Sequence, residues 1–367
     1  MASTGKTVKA EAWALYDRLI ESAATDGLTN PWSWQDGAVV FSPDYETAAK
    51  LLAVPILLDA APTTGVRALA LDVWIAYELR RAGFEPDSVW PRAEAPRIMP
   101  STFTALRAAA NKKQAEALDS FVRSGKTYNG EIGATANILG KNYVKQVDVV
   151  ISAWDTGPEL MISTKRMDSS FGNNAANRVE ESYGDAKNLR SRHPQAALGF
   201  VFSLRSTAFD EQPPTAAWIV DLLGKLGRED DAYDAVALLV PEWSGAASSD
   251  DAIPDEEQPL AAAGIEPGEA EALFPAPVPE DEIDQRLATL PEVVLRHDLV
   301  PGSLSPGVFL DRMVRRVLDN CPINFHVEAR ARLNVPSGRD PLDRQHPTIA
   351  VDHVPDHQPA EEDSHRA

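Results

Sequence analysis

Cysteine is almost absent from this chain, and so is any long run of apolar residues. Cys321 is the single cysteine, so the chain forms no internal disulfide and cannot build a zinc site from cysteine alone. The best candidate for a membrane helix, 51–58, contains Pro55 and is far shorter than the roughly 20 apolar residues that a bilayer requires. Lys6 and Lys9 are not followed by the apolar segment of a signal peptide. These absences predict a protein of the reducing cytoplasm.

Positive charge is also scarce, because the formal net charge is −20. A DNA-binding protein is expected to present a basic surface. The acidity is uneven, however: residues 101–207 carry 14 Lys and Arg against 10 Asp and Glu, whereas 250–292 carry 13 acids and one Arg. The net charge therefore neither supports nor excludes nucleic acid as a partner.

The pattern of apolar residues predicts an α/β protein: a mixed central sheet flanked by helices, with an added N-terminal helical region. Apolar residues at helical spacing predict helices over 10–20, 45–58 and 65–81, and a Pro-rich stretch to Pro100 follows. Five segments are predicted in all. They are a helical region 1–100, an α/β core 101–243, an acidic Pro- and Ala-rich linker 244–285, a small helical segment 286–335 and a disordered tail 336–367.

Within the core, two strands joined by a short turn are predicted to form an antiparallel hairpin. The strands run over 147–153 and 160–165. The other elements predicted for the core are helices over 103–123, 130–139, 174–192 and 215–226, a buried strand over 197–204 and a strand over 235–240. A helix over 307–318 is predicted in the segment that follows the linker.

The hairpin carries the residues that suggest chemistry. Asp148 lies on its first strand, and Lys165 ends its otherwise apolar second strand, where alternation places Ser163 on the same face. A charged residue at that place costs solvation energy unless it is paired, and Asp148 is a suitable partner. Carboxylates that hold a divalent cation, with a lysine beside them, are the parts needed to hydrolyse a phosphodiester. The alternative is a solvated strand-end acid and cation. The seven histidines show no metal-ligand spacing.

The order of these parts, from Glu131 through Asp148 to the strand that ends in Lys165, resembles the PD-(D/E)xK nuclease superfamily over about 75 residues. The resemblance implies a restriction-endonuclease-like core, with Asp148 as a metal ligand, Lys165 as the motif lysine and Glu131 as a further ligand. Ser163 stands where the family usually has an acid. A subgroup of type II restriction enzymes shares this SxK form and takes the missing carboxylate from the next helix.

Two acids of that helix are candidates for the missing carboxylate. At about 100° per residue, an apolar face through Ala176, Val179, Tyr183 and Ala186 is flanked by Glu180, whereas Glu181 points away. Glu180 is therefore the preferred ligand, and the choice among Glu180, Glu181 and Glu131 stays open. The same region supplies residues expected to contact DNA, namely Asn173, Asn174, Arg178, Lys187, Arg190 and Arg192.

The sequence thus predicts a Mg²⁺-dependent DNA endonuclease of the restriction or phage-defence type. Asp148, Lys165, Glu180 and Ser163 would form its active site, and double-stranded DNA would be its substrate. Because two strands must be cut, a homodimer or larger assembly is expected. Two alternatives remain: a nuclease fold that has lost catalysis and binds DNA or assembles with a partner, and a repair nuclease that recognises DNA structure.

Overall fold

The computed structural model describes residues 7–123, 136–228, 232–245 and 278–337, without the side chains of 173–179. The predicted α/β class with a mixed central sheet is confirmed. Most of the predicted linker and all but the first two residues of the predicted disordered tail lie outside the described residues. Of these two, Ser337 is ordered, because its N–H donates to the carbonyl of Trp32 at 2.8 Å. The division into domains stays a prediction.

The N-terminal region folds into three helices and a hairpin. The helices are α1 (Val8–Ala23), α2 (Tyr45–Leu57) and α3 (Val66–Arg81), and the hairpin strands are β1 (Trp32–Gln35) and β2 (Ala38–Phe41). All three helices were predicted, and the hairpin was not. The side chain of Asp44 starts α2 by accepting a hydrogen bond from the backbone N–H of Thr47 at 3.0 Å. α3 is buried almost throughout, which shows that it is a core helix.

The central sheet has five strands. They are β3 (Val89–Trp90), β6 (Val149–Ala153), β7 (Gly157–Met167), β8 (Ala197–Leu204) and β9 (Ala235–Leu239), in the spatial order β3-β6-β7-β8-β9. β3 and β7 both pair antiparallel with β6, and β7, β8 and β9 are mutually parallel. The predicted hairpin and the two later strands are confirmed. The Pro-rich stretch supplies β3, so it contributes an edge strand to the sheet.

The helices before the hairpin differ from the prediction. The helix predicted over 103–123 is divided into α4 (Ser101–Ala109) and α5 (Lys112–Arg123), because Asn111 caps α5 by accepting from the N–H of Gln114 at 3.1 Å.

The helix predicted over 130–139 is wrong at its described end. Residues 136–139 form β4 (Ala136–Leu139), paired with β5 (Val144–Val147). Asn188 holds the turn between these strands, because its side-chain oxygen accepts from the N–H of Asn142 at 2.8 Å and its amide donates to the carbonyl of Tyr143 at 3.1 Å. This contact is distant in sequence and overrides the local helical pattern.

Helices cover both faces of the sheet. One face carries α6 (Phe171–Arg190), α7 (Thr207–Glu211) and α8 (Pro213–Leu226). The other face carries α1, α2, α3 and α10 (Pro306–Asn320), which share one hydrophobic cluster with the sheet. All eight residues of β8 are buried, as expected for a central strand covered on both sides. The remaining elements are α9 (Glu280–Leu287), β10 (Pro241–Glu242), β11 (Val294–Leu295) and α11 (Val327–Asn334).

The C-terminal segment packs on the sheet. α10 confirms the helix predicted over 307–318 and approaches β8 so closely that a Cβ on Gly199 would lie 2.7 Å from the Phe309 ring. α9 lies within and just beyond the predicted linker, and Asp284 on α9 accepts from Arg18 of α1 at 2.8 Å. Within the described residues, the two ends of the chain therefore share one body with the sheet.

Candidate functional site

Asp148 occupies the end of the predicted hairpin. It directly precedes β6, and the pair of β6 and β7 residues nearest to it is Val149 and Ile162. The carboxylate Oδ2 of Asp148 accepts a hydrogen bond from the backbone N–H of Thr164 at 2.8 Å. Beyond the last paired residue, a strand N–H needs a substitute acceptor, and this side chain supplies it. The contact fixes the carboxylate at the boundary between the two faces of the sheet.

A second carboxylate, which the sequence pattern did not indicate, contacts the same threonine. Asp72 lies on the buried helix α3, and its Oδ1 accepts from the Oγ1 hydroxyl of Thr164 at 2.6 Å. Burial raises the pKa of Asp72 well above its usual value, and the negative charge of Asp148 raises it further. The positive charges of Lys9 and Lys165 act in the opposite direction. Two acids therefore converge on one residue and disfavour each other's charge.

Ser163 and Lys165 lie on the opposite side of β7 from the Thr164 side chain, as strand alternation requires. Ser163 is buried and shares a hydrogen bond with the hydroxyl of Tyr233, which itself donates to the carbonyl of Ser182 at 2.9 Å. Burial raises the pKa of Tyr233, so its hydroxyl stays protonated. Lys165 is only half-buried, and its charge reaches Asp72. We call Asp72, Asp148, Ser163, Thr164 and Lys165 the strand-end cluster.

An ion pair joins β5 to α6. Lys145 of β5 lies 2.9 Å from Asp185, which also accepts from the hydroxyl of Tyr143 at 2.9 Å. Burial raises the pKa of Tyr233, and the charges of Asp185 and Asp148 raise it further, so both acids lie near its ring. Asp185 is partly buried on α6, and it already has a lysine and a tyrosine as partners.

The predicted rotation of α6 about its axis is wrong. Ala186 is buried as predicted, but Tyr183, which was placed on the same apolar face, is 38% exposed, whereas Ser182 and Leu189 are buried. At about 100° per residue, Glu180 then lies opposite Leu189 and points away from the sheet. Glu180 and its neighbour Glu181 are both exposed. The structure does not bring Glu180 to the strand-end cluster. The error arose because polar Ser182 and Asp185 take up positions on the inward face.

The other predicted site residues have different outcomes. Glu131, the third predicted metal ligand, lies outside the described residues. So do the side chains of Asn173, Asn174 and Arg178. Lys187 and Arg192 are exposed on or just beyond α6, as a DNA contact requires.

Arg190 is oriented into the protein, which contradicts its assignment to a DNA-contacting surface. Its guanidinium donates to Asp234 at 2.6 Å and to the carbonyl of Ala196 at 2.9 Å. It therefore ties the end of α6 to the strand edge. The apolar pattern gave no sign of this role, because Asp234 lies in a separate loop.

Chemically, the strand-end cluster offers oxygen ligands and one ammonium group. Asp72 and Asp148 approach Thr164 from its side chain and its backbone, so their carboxylates lie close together. Mg²⁺ prefers such oxygen donors and is commonly held by one or two carboxylates plus water. A cation between the carboxylates would offset their mutual repulsion. The donor set therefore fits Mg²⁺.

Comparisons with protein-family models, with curated proteins and with solved structures give no match. No helix among the described residues is long and apolar enough to cross a membrane. A function for this protein is therefore inferred from the geometry of the strand-end cluster.

Proposed function

We propose that this protein is a Mg²⁺-dependent DNA endonuclease with a restriction-endonuclease-like core. The observation that carries the proposal is the convergence of Asp72 and Asp148 on Thr164, next in sequence to Lys165, which lies two residues before β7 ends at Met167. The antiparallel pair β6–β7, followed by α6 and the parallel strand β8, supports the proposal, because the resemblance implies a hairpin followed by a helix and a further strand. Restriction or defence against foreign DNA is the setting we favour.

In this proposal Asp148 and Asp72 would hold a metal ion, which would polarise the phosphate and allow a bound water to become hydroxide near neutral pH. Asp72 takes the place that the sequence pattern assigned to Glu180. Its raised pKa has a consequence, because Asp72 must lose its proton before it can bind a cation. Thr164 positions both acids, one through its N–H and one through its hydroxyl.

Lys165 has a different task. Its ammonium group orients the attacking water and offsets the charge that develops on the phosphate. Ser163 does not contact the reacting atoms, because it is buried against Tyr233. It keeps the strand fixed where the family usually has an acid. Lys187 and Arg192 are suited to contact phosphates of the duplex. A homodimer would cut both strands.

Cleavage of a long unmethylated phage DNA tests the proposal, because a large genome contains most short recognition sequences. The wild-type protein is expected to cut in Mg²⁺ and not in EDTA. Asp148→Asn, Asp72→Asn and Lys165→Met should each slow cleavage by about 100-fold or more, since each removes a group that acts on the reacting centre.

Matched controls come from an exposed ion pair on α8, in which Lys225 contacts Asp221. Asp221→Asn and Lys225→Met make the same chemical changes far from the strand-end cluster and should leave cleavage unchanged. Cleavage by Lys165→Met at the wild-type rate would sink the proposed mechanism.

Further outcomes separate the alternatives. Sequence-independent DNA binding without cleavage by the wild type would overturn the endonuclease and support a catalytically silent DNA-binding subunit. Loss of activity in Glu180→Gln, with Asp72→Asn fully active, would assign the second carboxylate ligand to Glu180 of α6 instead of Asp72. Discrete fragments indicate a restriction enzyme, and a preference for branched substrates indicates a repair nuclease.

A further inference from the structure

Three potential metal ligands converge at the other end of β7. Glu159 lies near the start of this strand, Cys321 directly follows α10, and His326 directly precedes α11. At about 3.3 Å per residue, Glu159 is roughly 20 Å from Lys165. The cluster is therefore separate from the strand-end cluster. We call Glu159, Cys321 and His326 the C-terminal triad.

The ligand atoms of the triad are already close together. The imidazole Nε2 of His326 lies 2.9 Å from Oε2 of Glu159, and Cys321 Sγ lies 3.7 Å from Oε1 of Glu159. All three ligand atoms lie within 4.8 Å of one another. Bonds of about 2.0–2.3 Å in a tetrahedral zinc site place ligand atoms roughly 3.3–3.8 Å apart. Small shifts of the side chains would therefore complete the site.

A second observation indicates that the triad awaits a ligand. Oε2 of Glu159 and Nε2 of His326 are fully buried and contact each other as an ion pair, but neither atom has a hydrogen bond of regular geometry. The side chain of Glu159 is only 6% exposed. Buried polar atoms are normally satisfied, and those that are not require an explanation. A cation bound between Glu159 and His326 would accept a lone pair from each of these two atoms.

The surrounding chain fixes the three ligands. His326 has a φ of 52°, a left-handed conformation that is uncommon for residues other than glycine. Its ring contacts the edge of the Phe84 ring at 5.1 Å between centroids. Arg330 donates to the carbonyl of Cys321 at 2.8 Å and so holds the turn between α10 and α11. Such support from neighbouring residues is typical of metal sites.

We propose that Glu159, Cys321 and His326 bind one Zn²⁺ ion. The mixed sulfur, nitrogen and oxygen set suits zinc and is unsuited to Mg²⁺, which requires oxygen donors. On binding, the S–H bond of Cys321 breaks, a Zn–S bond forms, and the proton leaves to solvent. Three protein ligands leave a fourth position for water. The ion joins the C-terminal helices to the start of β7, and its binding does not depend on the proposed nuclease activity.

Burial and the charge of Glu159 raise the pKa of Cys321 to about 11. In the metal-free protein the thiol is therefore mostly protonated, and it reacts with thiol reagents through its thiolate fraction. Zinc binding is consequently expected to strengthen with rising pH, because the bound form requires the thiolate.

Metal titration of the full-length, chelator-treated protein tests the site. We expect one equivalent of Zn²⁺ per chain, measured in competition with a chromophoric chelator. With Co²⁺, the wild type should show a thiolate-to-cobalt absorption band, which Cys321→Ser should lack. Co²⁺ at the strand-end cluster gives no such band, because that cluster has no sulfur. His326→Ala and Glu159→Gln should weaken zinc binding at least 10-fold. His297→Ala, which removes a histidine that packs on Tyr45, is the matched control and should bind normally.

A second measurement uses the fact that Cys321 is the only thiol in the chain. Saturating Zn²⁺ should protect it from alkylation in the wild type. Because this measurement needs no substitution, it remains informative even if a triad variant fails to fold. Either of two results would overturn the proposal: no tight equivalent of zinc in the wild type, or alkylation at the same rate with and without zinc. A Glu–His contact that only holds α11 in place predicts both of these.

Discussion

Replacing Asp72 with asparagine should stabilise the metal-free protein although it removes a proposed ligand. The change keeps the shape of the side chain and keeps an oxygen that accepts from the Thr164 hydroxyl. It removes a buried charge that lies beside the charge of Asp148. Active-site groups that repel one another commonly lower stability, and their replacement raises it.

The size and pH dependence follow from the direction of the pKa shift. A carboxyl group with a raised pKa binds its proton in the folded state when the unfolded chain has already lost it. The free energy of unfolding of the wild type therefore falls as pH rises from 3.8 through the raised pKa of Asp72. An asparagine has no such dependence. Burying a poorly compensated carboxylate costs several kcal/mol, and burying an amide costs roughly 1–3 kcal/mol. We expect the variant to be about 1–3 kcal/mol more stable at pH 8 and equal to the wild type below pH 3.8.

Mg²⁺ should reverse this order. A ligand that binds only the folded state at 100 times its Kd stabilises by about 2.7 kcal/mol. The wild type would gain this energy, and Asp72→Asn would gain much less. Chemical denaturation and thermal melting, each in EDTA and in Mg²⁺, measure the four values. At about 2–4 °C per kcal/mol, the differences are readily resolved. Asp221→Asn, on the exposed face of α8, is the control and should change neither curve.

Two results would refute the reasoning. If Asp72→Asn is clearly less stable than the wild type in EDTA at pH 8, the carboxylate is stabilising and is not held against a neighbouring charge. If Mg²⁺ shifts wild type and variant equally, the ion does not bind at Asp72. Loss of cleavage without the reversal in stability would place Asp72 outside the metal site while leaving Asp148 and Lys165 to be tested separately.

Two further predictions concern the core. Gly199→Ala places a Cβ 2.7 Å from Phe309 and should lower the free energy of unfolding by about 1–3 kcal/mol. Gly184→Ala, on the open face of α6, should raise it by about 0.5–1 kcal/mol. Urea denaturation of both variants checks this contrast, and equal effects would contradict the close packing of α10 on β8. Arg81→Met leaves the carboxylate of Glu78 buried without its partner at 2.6 Å and should cost about 3–5 kcal/mol. Burial raises the pKa of Glu78 to about 7 even with Arg81 present. The loss of unfolding free energy in the variant should therefore be larger at pH 8 than at pH 6, which denaturation at the two pH values measures. A loss that does not depend on pH would contradict this account.

Local pattern was sufficient for much of the sheet. The run of apolar residues over 197–204 predicted β8 because a strand covered on both faces has no polar side to present. The short turn between the strands of the hairpin predicted their antiparallel pairing. That pairing brings the strand that carries Asp148 beside the strand that carries Lys165. These features depend on residues within about 20 positions of one another.

The rotation of α6 and the strand β4 could not be predicted in the same way. Ser182 and Asp185 are polar, yet they face inward because Tyr233 and Lys145 provide partners for them. β4 is fixed by Asn188, which lies about 50 residues later. Where a polar partner comes from a distant segment, apolar periodicity gives the wrong face or the wrong element.

By itself, therefore, the sequence determined the α/β class, the hairpin and the two residues, Asp148 and Lys165, from which a nuclease was inferred. Only the tertiary structure decided which acid stands beside Asp148, because Asp72 is 92 residues from Thr164 along the chain. It likewise assembled Glu159, Cys321 and His326, whose spacing matches no local motif. The physical reason is the same in both cases: a polar side chain reveals its role only through the groups that it meets from distant parts of the chain.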